Sequence, residues 1–458
     1  MTDSYEVVVI GAGPGGQSAA NAVAERGASV ALIERDKLGG TCHNYGCDPT
    51  KTLLHVAHLL HEMRHAQRFG LRVAEPTFDW AAVQAWVREV LDQMQGGGAE
   101  EARASLQKQG IDVIFGEAAF TSPHEISVGE RTIRAERFIL APGTQAAVPP
   151  IDGLVDVGFI TNVEAVALAT LPKRLAIIGS GPIGVEFAQM FARFGVQVTV
   201  LERAPVLLET EDRELADELC SLLSDEGICF ETGAELSAVQ RVSDGKQITF
   251  TSSEKTEQTL VVDEIMVAAG RKPALDGLEL EKAGIETTKK GITVDANLRT
   301  NLPHIWAIGD VATPLQFTHV AAAQGTLAAQ NAFTKTPQPF NNQAIPWGVY
   351  TSPELAHVGK TEEELSDDGV SYRVARIPFA QNDRAIATGS TEGHVKLLIG
   401  ADSLLLGGHI LGQNAGDVIA PVVLAMRAGL TIDMLAETLL PYPTFAAAVR
   451  QAAESVEY

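Results

Sequence analysis

The feature that most constrains this chain is a glycine-rich strand–turn–helix–strand pattern that occurs twice. The first copy runs from an apolar strand that starts at Tyr5 to a second strand that ends at Glu34, and the second copy runs in the same way from Arg174 to Glu202. Both turns have the spacing GxGxxG, with the glycines Gly11, Gly13 and Gly16 in the first copy and Gly179, Gly181 and Gly184 in the second. The pattern predicts two βαβ units in an α/β fold, because strand, turn and helix agree in both places.

These turns are typical of dinucleotide-binding sites. The first glycine permits a tight turn, the second lets a pyrophosphate approach the backbone, and the third allows close helix packing. The helix N-terminus adds unpaired amides and a partial positive charge. Glu34 and Glu202 end the second strands, where a carboxylate can accept hydrogen bonds from a ribose. Two structural turns without a ligand are the alternative interpretation.

Length and charge narrow the class of protein. The 458 residues suggest roughly three domains. With 35 basic and 58 acidic residues the net charge is −23, which opposes binding to nucleic acid or to an anionic membrane. No apolar run approaches the roughly 20 residues of a membrane span, and no basic segment with an apolar stretch precedes the first strand. We therefore expect a cytoplasmic protein.

The rest of the chain predicts a mixture of helices and strands. Helices are expected over residues 55–68, 80–109 and, in an alanine-rich segment, 319–333. The C-terminal part alternates strands with helices, as an α+β domain does. Its strands are expected at 374–377, 395–399 and 407–411, and its helices at 418–427, 432–438 and 445–454.

A close pair of cysteines is the most informative short motif. Cys42 and Cys47 lie in the stretch Gly-Gly-Thr-Cys-His-Asn-Tyr-Gly-Cys-Asp-Pro-Thr-Lys, residues 39–51, and a disulfide can close the loop between them. The apolar periodic segment after Pro49 puts Cys47 at or near a helix start, where the helix dipole stabilises a thiolate. The pair follows a dinucleotide fingerprint, which favours redox chemistry over an inert pair or half of a zinc site.

With this motif the chain resembles the pyridine nucleotide-disulfide oxidoreductase family, whose pattern is GGTCxNxGCxPSK. The resemblance covers essentially the whole chain and implies an FAD-dependent, NAD(P)H-oxidising flavoenzyme with a redox-active disulfide. Cys47 would lie against the flavin as the charge-transfer thiol, and Cys42 would be the interchange thiol. Lys51 and Glu186 match the ion pair that this family places near the flavin's reactive nitrogen.

The resemblance also implies the architecture: two Rossmann-like dinucleotide-binding domains and a C-terminal α+β dimerisation domain. The FAD-binding domain would occupy residues 1–148 and return at 271–338, with the NAD(P)-binding domain at 149–270 and the dimerisation domain at 339–458. Asp310 would bind the ribityl chain of FAD. The cofactor-binding residues that the resemblance implies are Gly11, Gly13, Pro14, Gly15, Gly16, Glu34, Gly40, Thr41, Lys51, Ala141, Gly143, Thr144, Gly179, Gly181, Gly184, Glu202, Gly270, Gly309 and Asp310.

Glu202 indicates a preference for NADH. A carboxylate at this position pairs with the two ribose hydroxyls and repels a 2′-phosphate. Arg203 beside it could accommodate that phosphate, so NADPH stays possible. The family shares its active site between two subunits, which implies a homodimer.

The C-terminal segment departs from the family pattern. Typical members carry a histidine before Pro-Thr and a glutamate five residues later, and this dyad protonates a leaving thiolate. Here Tyr442 replaces the histidine and Ala447 replaces the glutamate. Tyrosine, with an unperturbed pKa near 10, is a poor proton shuttle at neutral pH. The arrangement looks like that of mercuric reductases, so we expect Tyr442 to act in trans on an atypical acceptor, either a metal ion such as Hg(II) or Cu(II) or another small electrophile.

Two other functions stay open: a dihydrolipoamide dehydrogenase or low-molecular-weight disulfide reductase, and a non-catalytic flavin-bound sensor or binding protein. Asp48, in place of an apolar residue of the family, could raise the pKa of Cys47, and His43 could assist proton transfer or face solvent. Cys220 and Cys229 are predicted to be core residues. No metal site is assigned, although four histidines on one helix could share a metal or form a polar face: His55, His58, His61 and His65.

Overall fold

Strands and helices alternate along most of the chain in the computed structural model, which describes residues 2–456. The strands are β1 Thr2–Ile10, β2 Val30–Glu34, β3 Ile111–Phe115, β4 Ala118–Ser122, β5 Glu125–Val128, β6 Arg131–Leu140, β7 Thr144–Ala146, β8 Arg174–Ile178, β9 Gln197–Glu202, β10 Cys229–Thr232, β11 Glu235–Val242, β12 Gly245–Thr251, β13 Glu257–Val262, β14 Glu264–Val267, β15 Arg271–Pro273, β16 Thr287–Thr288, β17 Gly291–Ile292, β18 Ile305–Ala307, β19 Pro346–Val349, β20 Glu354–Gly359, β21 Arg373–Pro378, β22 His394–Ile399 and β23 Leu405–Gly412. The helices are α1 Pro14–Ala24, α2 Gly40–Tyr45, α3 Cys47–His65, α4 Trp80–Met94, α5 Ala99–Lys108, α6 Leu154–Val157, α7 Asn162–Ala165, α8 Pro182–Arg193, α9 Arg213–Asp225, α10 Leu280–Ala283, α11 Thr318–Asn331, α12 Glu362–Asp367, α13 Asp383–Thr388, α14 Ala415–Val418, α15 Ala420–Ala428, α16 Ile432–Glu437 and α17 Ala447–Glu454. Short 3₁₀ helices lie at Ala66–Phe69, Gly309–Val311 and Phe379–Gln381.

The chain divides into two compact units, each made of three segments. The first comprises the residues up to 53, 79–147 and 270–341, and the second comprises 54–78, 148–269 and the residues from 342 onward. Each unit contains one of the two predicted βαβ patterns, which are both confirmed. The four domain bounds drawn from the sequence stay predictions.

The main sheet of the first unit is built around β1. Its strand order is β3-β2-β1-β6-β5-β4, and β18 also pairs with β6. The strands β1, β2, β3, β6 and β18 pair in parallel. Val8 packs into one apolar cluster while Val7 and Val9 pack into another, because successive side chains of a strand point to opposite faces. The sheet is therefore covered on both faces. In sheets of this kind, ligands bind at the carboxyl ends of the parallel strands.

The second unit contains three sheets. A parallel sheet of order β10-β9-β8-β14 carries the second glycine turn, and the antiparallel strands β11, β12 and β13 form a smaller sheet. The C-terminal part is an antiparallel sheet of order β19-β20-β23-β22-β21. Buried residues of α15, α16 and α17 pack against this sheet. This α+β arrangement is the one predicted for the C-terminal domain.

Some predicted elements are corrected by the structure. The helical region predicted over 80–109 consists of two helices, because Gly96, Gly97 and Gly98 separate α4 from α5 with φ values of 74°, 123° and 118°, a conformation that helices do not adopt. The helix predicted over 418–427 is α15 with slightly different bounds, and the short helix α14 before it was not predicted. Strands β19 and β20 were not predicted. The strands predicted at 374–377, 395–399 and 407–411 are confirmed as β21, β22 and β23.

Within residues 2–456, none of the helices has both the length and the apolar character that a membrane crossing demands.

Candidate functional site

The first glycine turn joins β1 to α1 and leaves no room for side chains. Gly11 has a φ of 99°, and a Cβ on it would lie 2.2 Å from the Ala141 carbonyl oxygen. A Cβ on Gly16 would lie 1.8 Å from the Gly11 carbonyl oxygen. Gly13 is the N-cap of α1, and no side chain of the described residues caps this helix. Its first amides are thus left for an anion, which fits the pyrophosphate of a dinucleotide.

Glu34 is buried beside this turn at the end of β2. Its carboxylate accepts hydrogen bonds from the backbone amides of Ala12, at 2.7 Å, and Asp36, at 2.8 Å. Each carboxylate oxygen has a second lone pair. The position predicted for ribose binding is therefore fixed by the backbone and still able to accept hydrogen bonds.

Two other segments approach the first turn at backbone distance. A Cβ on Gly40, the first residue of α2, would lie 2.8 Å from the Gly13 Cα. A Cβ on Gly325 of α11 would lie 2.1 Å from the Gly15 carbonyl oxygen. Small residues in α11 thus permit the close packing of α1 against α11. Pro14, with no amide to donate, occupies the first turn of α1.

The cysteine pair lies next to this turn, and α11 supplies a third group to it. Cys47 is the first residue of α3, which confirms the predicted helix start, whereas Cys42 lies in the short helix α2 and not in a loop. Both cysteines are free and partly buried. The hydroxyl oxygen of Thr318, the first residue of α11, lies 3.0 Å from the Cys42 Sγ and 3.3 Å from the Cys47 Sγ. A hydroxyl has one proton, so Thr318 can donate to only one sulfur at a time.

The two thiols differ in proton affinity. A hydrogen bond from Cys42 lowers the pKa of Cys47 to about 6, and Thr318 and Lys51 also lower it, while burial opposes them. The same hydrogen bond, with burial, raises the pKa of Cys42. Asp48 raises the pKa of Cys47 in the predicted direction, as the weakest of these influences. In the dithiol form, Cys47 is therefore the thiolate and Cys42 keeps the proton.

His43 and Asp48 form a pair across the cysteine motif. The Nδ1 of His43 lies 2.8 Å from the Oδ2 of Asp48, and only 12% of the His43 side chain is exposed. The alternative in which His43 faces solvent is therefore wrong. Among the described residues the buried Nε2 of His43 has no hydrogen-bond partner.

Asp310 belongs to a hydrogen-bonded chain at the same edge of the sheet. The Oγ1 of Thr144 donates to the Oδ2 of Asp310 at 2.9 Å. Arg271 donates to the Oγ1 of Thr144 at 2.7 Å and to its carbonyl oxygen at 2.8 Å. Gly143 and Gly270 lie at the ends of the antiparallel pair β7–β15 that brings these residues together. The carboxylate predicted to bind the ribityl chain is thus held by Thr144, which Arg271 in turn holds in place.

The second glycine turn, between β8 and α8, repeats the geometry of the first. Gly179 has a φ of 106°, and a Cβ on it would lie 2.5 Å from the Ala268 carbonyl oxygen. A Cβ on Gly184 would lie 2.1 Å from the Gly179 carbonyl oxygen. Gly181 is the N-cap of α8, again without a side-chain cap from the described residues. The amides at the start of α8 can therefore bind a second pyrophosphate.

Glu202 is held in the same way as Glu34. One carboxylate oxygen accepts from the amide of Ser180 at 2.8 Å and from its hydroxyl at 2.9 Å, and the other accepts from the amide of Ala204 at 2.7 Å. The carboxylate of Glu202 next to the turn is therefore fixed by hydrogen bonds, whereas the neighbouring Arg203 is exposed to solvent.

Three of the predicted catalytic residues are not cysteines. Lys51 is the last residue of the cysteine motif, and Glu186 and Tyr442 lie outside it. Glu186 in α8 is 4% exposed, and its Oε1 accepts from the Tyr350 amide at 2.9 Å. Lys51 is in α3, and because the two residues belong to different units, their ion pair stays a prediction. Tyr442 is 78% exposed and donates its hydroxyl to Asp383 at 2.9 Å. This hydrogen bond raises the pKa of Tyr442, which makes it a still weaker acid.

The other two cysteines are not a pair of core residues, so that prediction is wrong. Cys220 in α9 is partly buried, but Cys229 is exposed. Cys229 starts β10, which is the edge strand of its sheet, and an edge strand is open to solvent on one side.

One acidic group has the geometry of a metal site among the described residues: Asp212, Glu214 and Glu362. The Nζ of Lys396 contacts all three carboxylates, Asp212 at 2.8 Å and Glu214 at 2.9 Å. Lys396 is 1% exposed. The place that a metal ion would take among these carboxylates is thus already occupied by a buried ammonium.

Sequence reasoning missed Thr318, Arg271 and Gln324. The Oε1 of Gln324 accepts from the amide of Gly309 at 2.8 Å and so fixes the loop before Asp310. A threonine at the start of a predicted helix is a typical N-terminal signal, so Thr318 could have been singled out as the helix start. Nothing in the sequence around Thr318 indicates that it lies close to the cysteines, because Cys42 is 276 positions away.

Two protein-family models match the chain. A model described as pyridine nucleotide-disulphide oxidoreductase matches residues 5–325, and a model described as the dimerisation domain of that family matches residues 345–453.

Individual proteins resemble the chain over its whole length. A dihydrolipoyl dehydrogenase of Thermus scotoductus is 38% identical, covering 99% of this chain and 97% of its own. A mercuric reductase of Streptomyces lividans is 36% identical, covering 98% of this chain and 96% of its own. The solved Cu(II) complex of the HOCl-induced flavoprotein disulfide reductase RclA from Escherichia coli is 31% identical with a TM-score of 0.88, and the match covers 99% of this chain and 100% of that one.

Proposed function

Because the chain belongs to the pyridine nucleotide-disulphide oxidoreductase family, we propose that it passes two electrons from NADH, by way of FAD, to Cys42 and Cys47 and then to a metal ion or another small electrophile. It is an FAD-binding enzyme that uses a pyridine nucleotide, with a C-terminal dimerisation domain. The NADH preference rests on the fixed carboxylate of Glu202.

The observation that carries the proposal is the contact of both sulfurs with one hydroxyl beside the first glycine turn, and the different proton affinities of the two thiols support it. With a pKa of about 6, Cys47 is ionised at neutral pH, while Cys42 retains its proton. A thiolate is the reactive form of cysteine. Both sulfurs contact one hydroxyl, that of Thr318, so the pair is pre-organised as one site.

The chemistry of each step follows from this arrangement. The first glycine turn and Glu34 would hold FAD, and the flavin would supply two electrons from the nicotinamide to a disulfide. Two electrons and one proton convert the Cys42–Cys47 disulfide into the Cys42 thiol and the Cys47 thiolate. A metal ion then binds the two sulfurs and displaces the Cys42 proton. Transfer of two electrons to one Hg(II), or of one electron to each of two Cu(II), restores the disulfide.

The acceptor is inferred from the absent dyad and from the relatives. Tyr442 and Ala447 stand where the family carries its histidine and glutamate, and the Asp383 hydrogen bond makes Tyr442 a poorer proton donor. An organic disulfide needs a proton for its leaving thiolate, whereas a metal ion does not. A mercuric reductase and a Cu(II) complex are among the similar proteins, which supports a metal acceptor.

A homodimer would complete the site. The C-terminal part exposes several large apolar side chains that a partner subunit would cover. These side chains are Ile386, Leu424, Met434, Leu439 and Tyr442, with exposures between 53% and 85%. In the proposal they meet the partner subunit, and Tyr442 approaches the partner's cysteine pair.

An acceptor screen tests the proposal. Purified holoenzyme is supplied with NADH and with Hg(II), Cu(II), lipoamide or glutathione disulfide, and NADH consumption is followed. The metal ions should give the fastest turnover, and Cys47→Ser should abolish it together with the long-wavelength absorbance that NADH produces. Cys229→Ser, an exposed cysteine outside the site, is the matched control and should behave as the wild type. Full metal reduction by Cys47→Ser would refute the role of the pair, and no turnover with any acceptor would favour a sensor.

The second candidate is a dihydrolipoamide dehydrogenase, which the similarity to the Thermus scotoductus enzyme favours. The absent dyad opposes it. Installing the dyad by Tyr442→His with Ala447→Glu should raise the rate with lipoamide, if the dyad is what the chain lacks. A wild-type enzyme that already prefers lipoamide over both metal ions would make this candidate the function.

A further inference from the structure

Two histidines one turn apart on α3 have their rings close together. The ring centroids of His61 and His65 are 4.2 Å apart, and the ring planes are inclined by 34°. Residues i and i+4 are neighbours on a helix surface. Two nitrogens bound to one ion through bonds of about 2 Å lie at most about 4 Å apart. The centroid separation is close to this limit, so the pair has the spacing that a single ion requires.

The hydrogen bonding of His65 exposes a lone pair. Its Nδ1 lies 2.8 Å from the carbonyl oxygen of His61. A carbonyl oxygen only accepts, so the Nδ1 of His65 carries the proton, and the Nε2 of the neutral ring is unprotonated. Metal-binding histidines are commonly oriented in this way, with the second ring nitrogen donating to a carbonyl or carboxylate.

The surroundings of His61 favour the same tautomer. The Oε2 of Glu226 lies 3.8 Å from its Nδ1, which attracts the proton to that nitrogen and leaves Nε2 as the lone pair. Burial and the Arg193 guanidinium lower the pKa of His61 to about 4. The ring is therefore neutral at physiological pH, which is the form that binds a metal. About a quarter of the side chain is exposed, so an ion can reach it.

The other two histidines of this helix do not share this arrangement. The Nδ1 of His58 lies 3.3 Å from the Nη1 of Arg193. Arginine only donates, so that Nδ1 is occupied as an acceptor. His55 is exposed and lies more than one helical turn before His61. Of the four histidines that the sequence groups together, two are thus arranged as ligands.

The charges around the pair partly offset each other. Arg193 is the nearby cation, and its charge is met by Glu226 at 2.8 Å. Glu62, the other carboxylate near His61, pairs with Arg68 at 3.5 Å. At His61 the Arg193 guanidinium disfavours a positive charge more than Glu226 favours one, so the affinity for a dication must come from the imidazoles.

We propose that His61 and His65 form a two-imidazole site for a divalent transition-metal ion of the Cu(II) class. Imidazole suits Cu(II), Ni(II) and Zn(II), and among these Cu(II) binds nitrogen ligands most tightly. The remaining coordination positions would be filled by water. The site is separate from the thiol chemistry proposed for Cys42 and Cys47 and does not depend on it.

Copper binding to the oxidised holoenzyme tests this site. With the disulfide closed and no NADH present, Cu(II) is not reduced and its paramagnetic resonance spectrum can be recorded. One equivalent of Cu(II) should show splitting from two imidazole nitrogens. His65→Ala and His61→Ala should each weaken binding by about tenfold or more and remove one nitrogen from the pattern. Flavin absorbance of each variant reports that it is folded.

Two matched controls locate the ion. His55→Ala removes a histidine from the same helix, and His304→Ala removes one from another stacked pair, His124–His304, whose rings are 4.1 Å apart. Both should leave the spectrum unchanged, and Cys42→Ser with Cys47→Ser should keep it while abolishing metal reduction. An unchanged spectrum in His65→Ala, or loss of it in His304→Ala, would overturn the proposal. This experiment measures Cu(II) binding and not its reduction. The histidine site would therefore hold even if the enzyme failed to reduce metal ions, and the proposed reduction would hold even if the histidines bound no Cu(II).

Discussion

The two glycine-rich turns share a backbone but differ in what surrounds them. Gly11 and Gly179 have φ values of 99° and 106°, so the polypeptide turns in the same way. At the second glycine the turns diverge. A Cβ on Gly13 would meet the Cα of Gly40 at 4.0 Å, whereas a Cβ on Gly181 would meet nothing within 4 Å.

The difference extends to the helices that follow. In the first turn, α11 packs so closely on α1 that a side chain on Gly325 would overlap the backbone. The corresponding helix of the second turn, α8, has isoleucine at the position equivalent to Gly15. The glycine fingerprint thus makes each turn suitable for a pyrophosphate, and the surroundings of the turn determine how easily the bound nucleotide leaves. A covered turn suits a cofactor that stays through many cycles, and an open turn suits a nucleotide that exchanges in each cycle.

The strongest way to break this comparison is to block the third glycine of each turn. Gly16→Ala would place a Cβ 1.8 Å from a carbonyl oxygen, and Gly184→Ala one at 2.1 Å, and overpacking of this kind costs about 1–3 kcal/mol or more. Gly16→Ala should lose FAD and be nearly colourless, while Gly184→Ala should stay yellow but no longer be reduced by NADH. The ratio of flavin to protein absorbance measures the first effect, and anaerobic NADH titration measures the second. A yellow Gly16→Ala protein would contradict the assignment of the first turn.

A smaller change tests whether the second turn is open. Gly181 has a φ of −67° and free space for a Cβ, so Gly181→Ala should leave the melting temperature and the FAD content unchanged. The added methyl group would occupy the place of the pyrophosphate and should raise the KM for NADH by about tenfold, which corresponds to about 1.4 kcal/mol. Gly13→Ala is the counterpart and should lower FAD occupancy instead. If Gly181→Ala bound NADH as tightly as the wild type, the pyrophosphate of NADH would have to bind somewhere other than the second glycine turn.

The sequence predicts these turns well because their requirements are local. The glycines, the strand before them and the carboxylate after them all lie within one βαβ unit, and backbone sterics dictate where glycine is needed. Cys47 at the start of α3 follows for the same reason, since the apolar period begins just after it. The break between α4 and α5 has an equally local cause, the three glycines Gly96 to Gly98, although the sequence-based prediction places one helical region across it.

The rest of the site depends on contacts between distant segments. Thr318 lies 276 positions after Cys42, and it comes close only because β18 pairs with β6 and carries α11 to the first turn. Cys229 is exposed because its strand is at the edge of a sheet, and strand order is not readable from a single strand. Neither fact has a signal within a short window of sequence.

The first turn has a pair of thiols beside it, and the second turn does not. The hydroxyl of Thr318 contacts both thiols, so it is the residue to change in a test of their proton affinities. The pKa of Cys47 is lowered from its usual value to about 6, so the thiolate predominates above pH 6 and reactivity falls as the pH drops through 6. Thr318→Val removes a hydrogen bond to the thiolate and should move this midpoint upward, by roughly one unit for each 1.4 kcal/mol lost. The rate of alkylation of the reduced enzyme against pH measures the midpoint. Thr318→Ser should restore it, and an unmoved midpoint in Thr318→Val would exclude the hydroxyl as a donor to Cys47.

The smallest expected effect concerns Asp48, the residue that departs from the family pattern inside the cysteine motif. Its carboxylate raises the pKa of Cys47, and it is the weakest of the influences on that thiol. Asp48→Asn should therefore lower the alkylation midpoint by only a fraction of a unit, so the thiolate would persist to slightly lower pH. Asp48→Glu keeps the charge and should show no such shift. Because His43 pairs with Asp48 at 2.8 Å, a midpoint that rises in Asp48→Asn would mean that the carboxylate acts on the thiolate by orienting His43, and the direct electrostatic account would then be wrong.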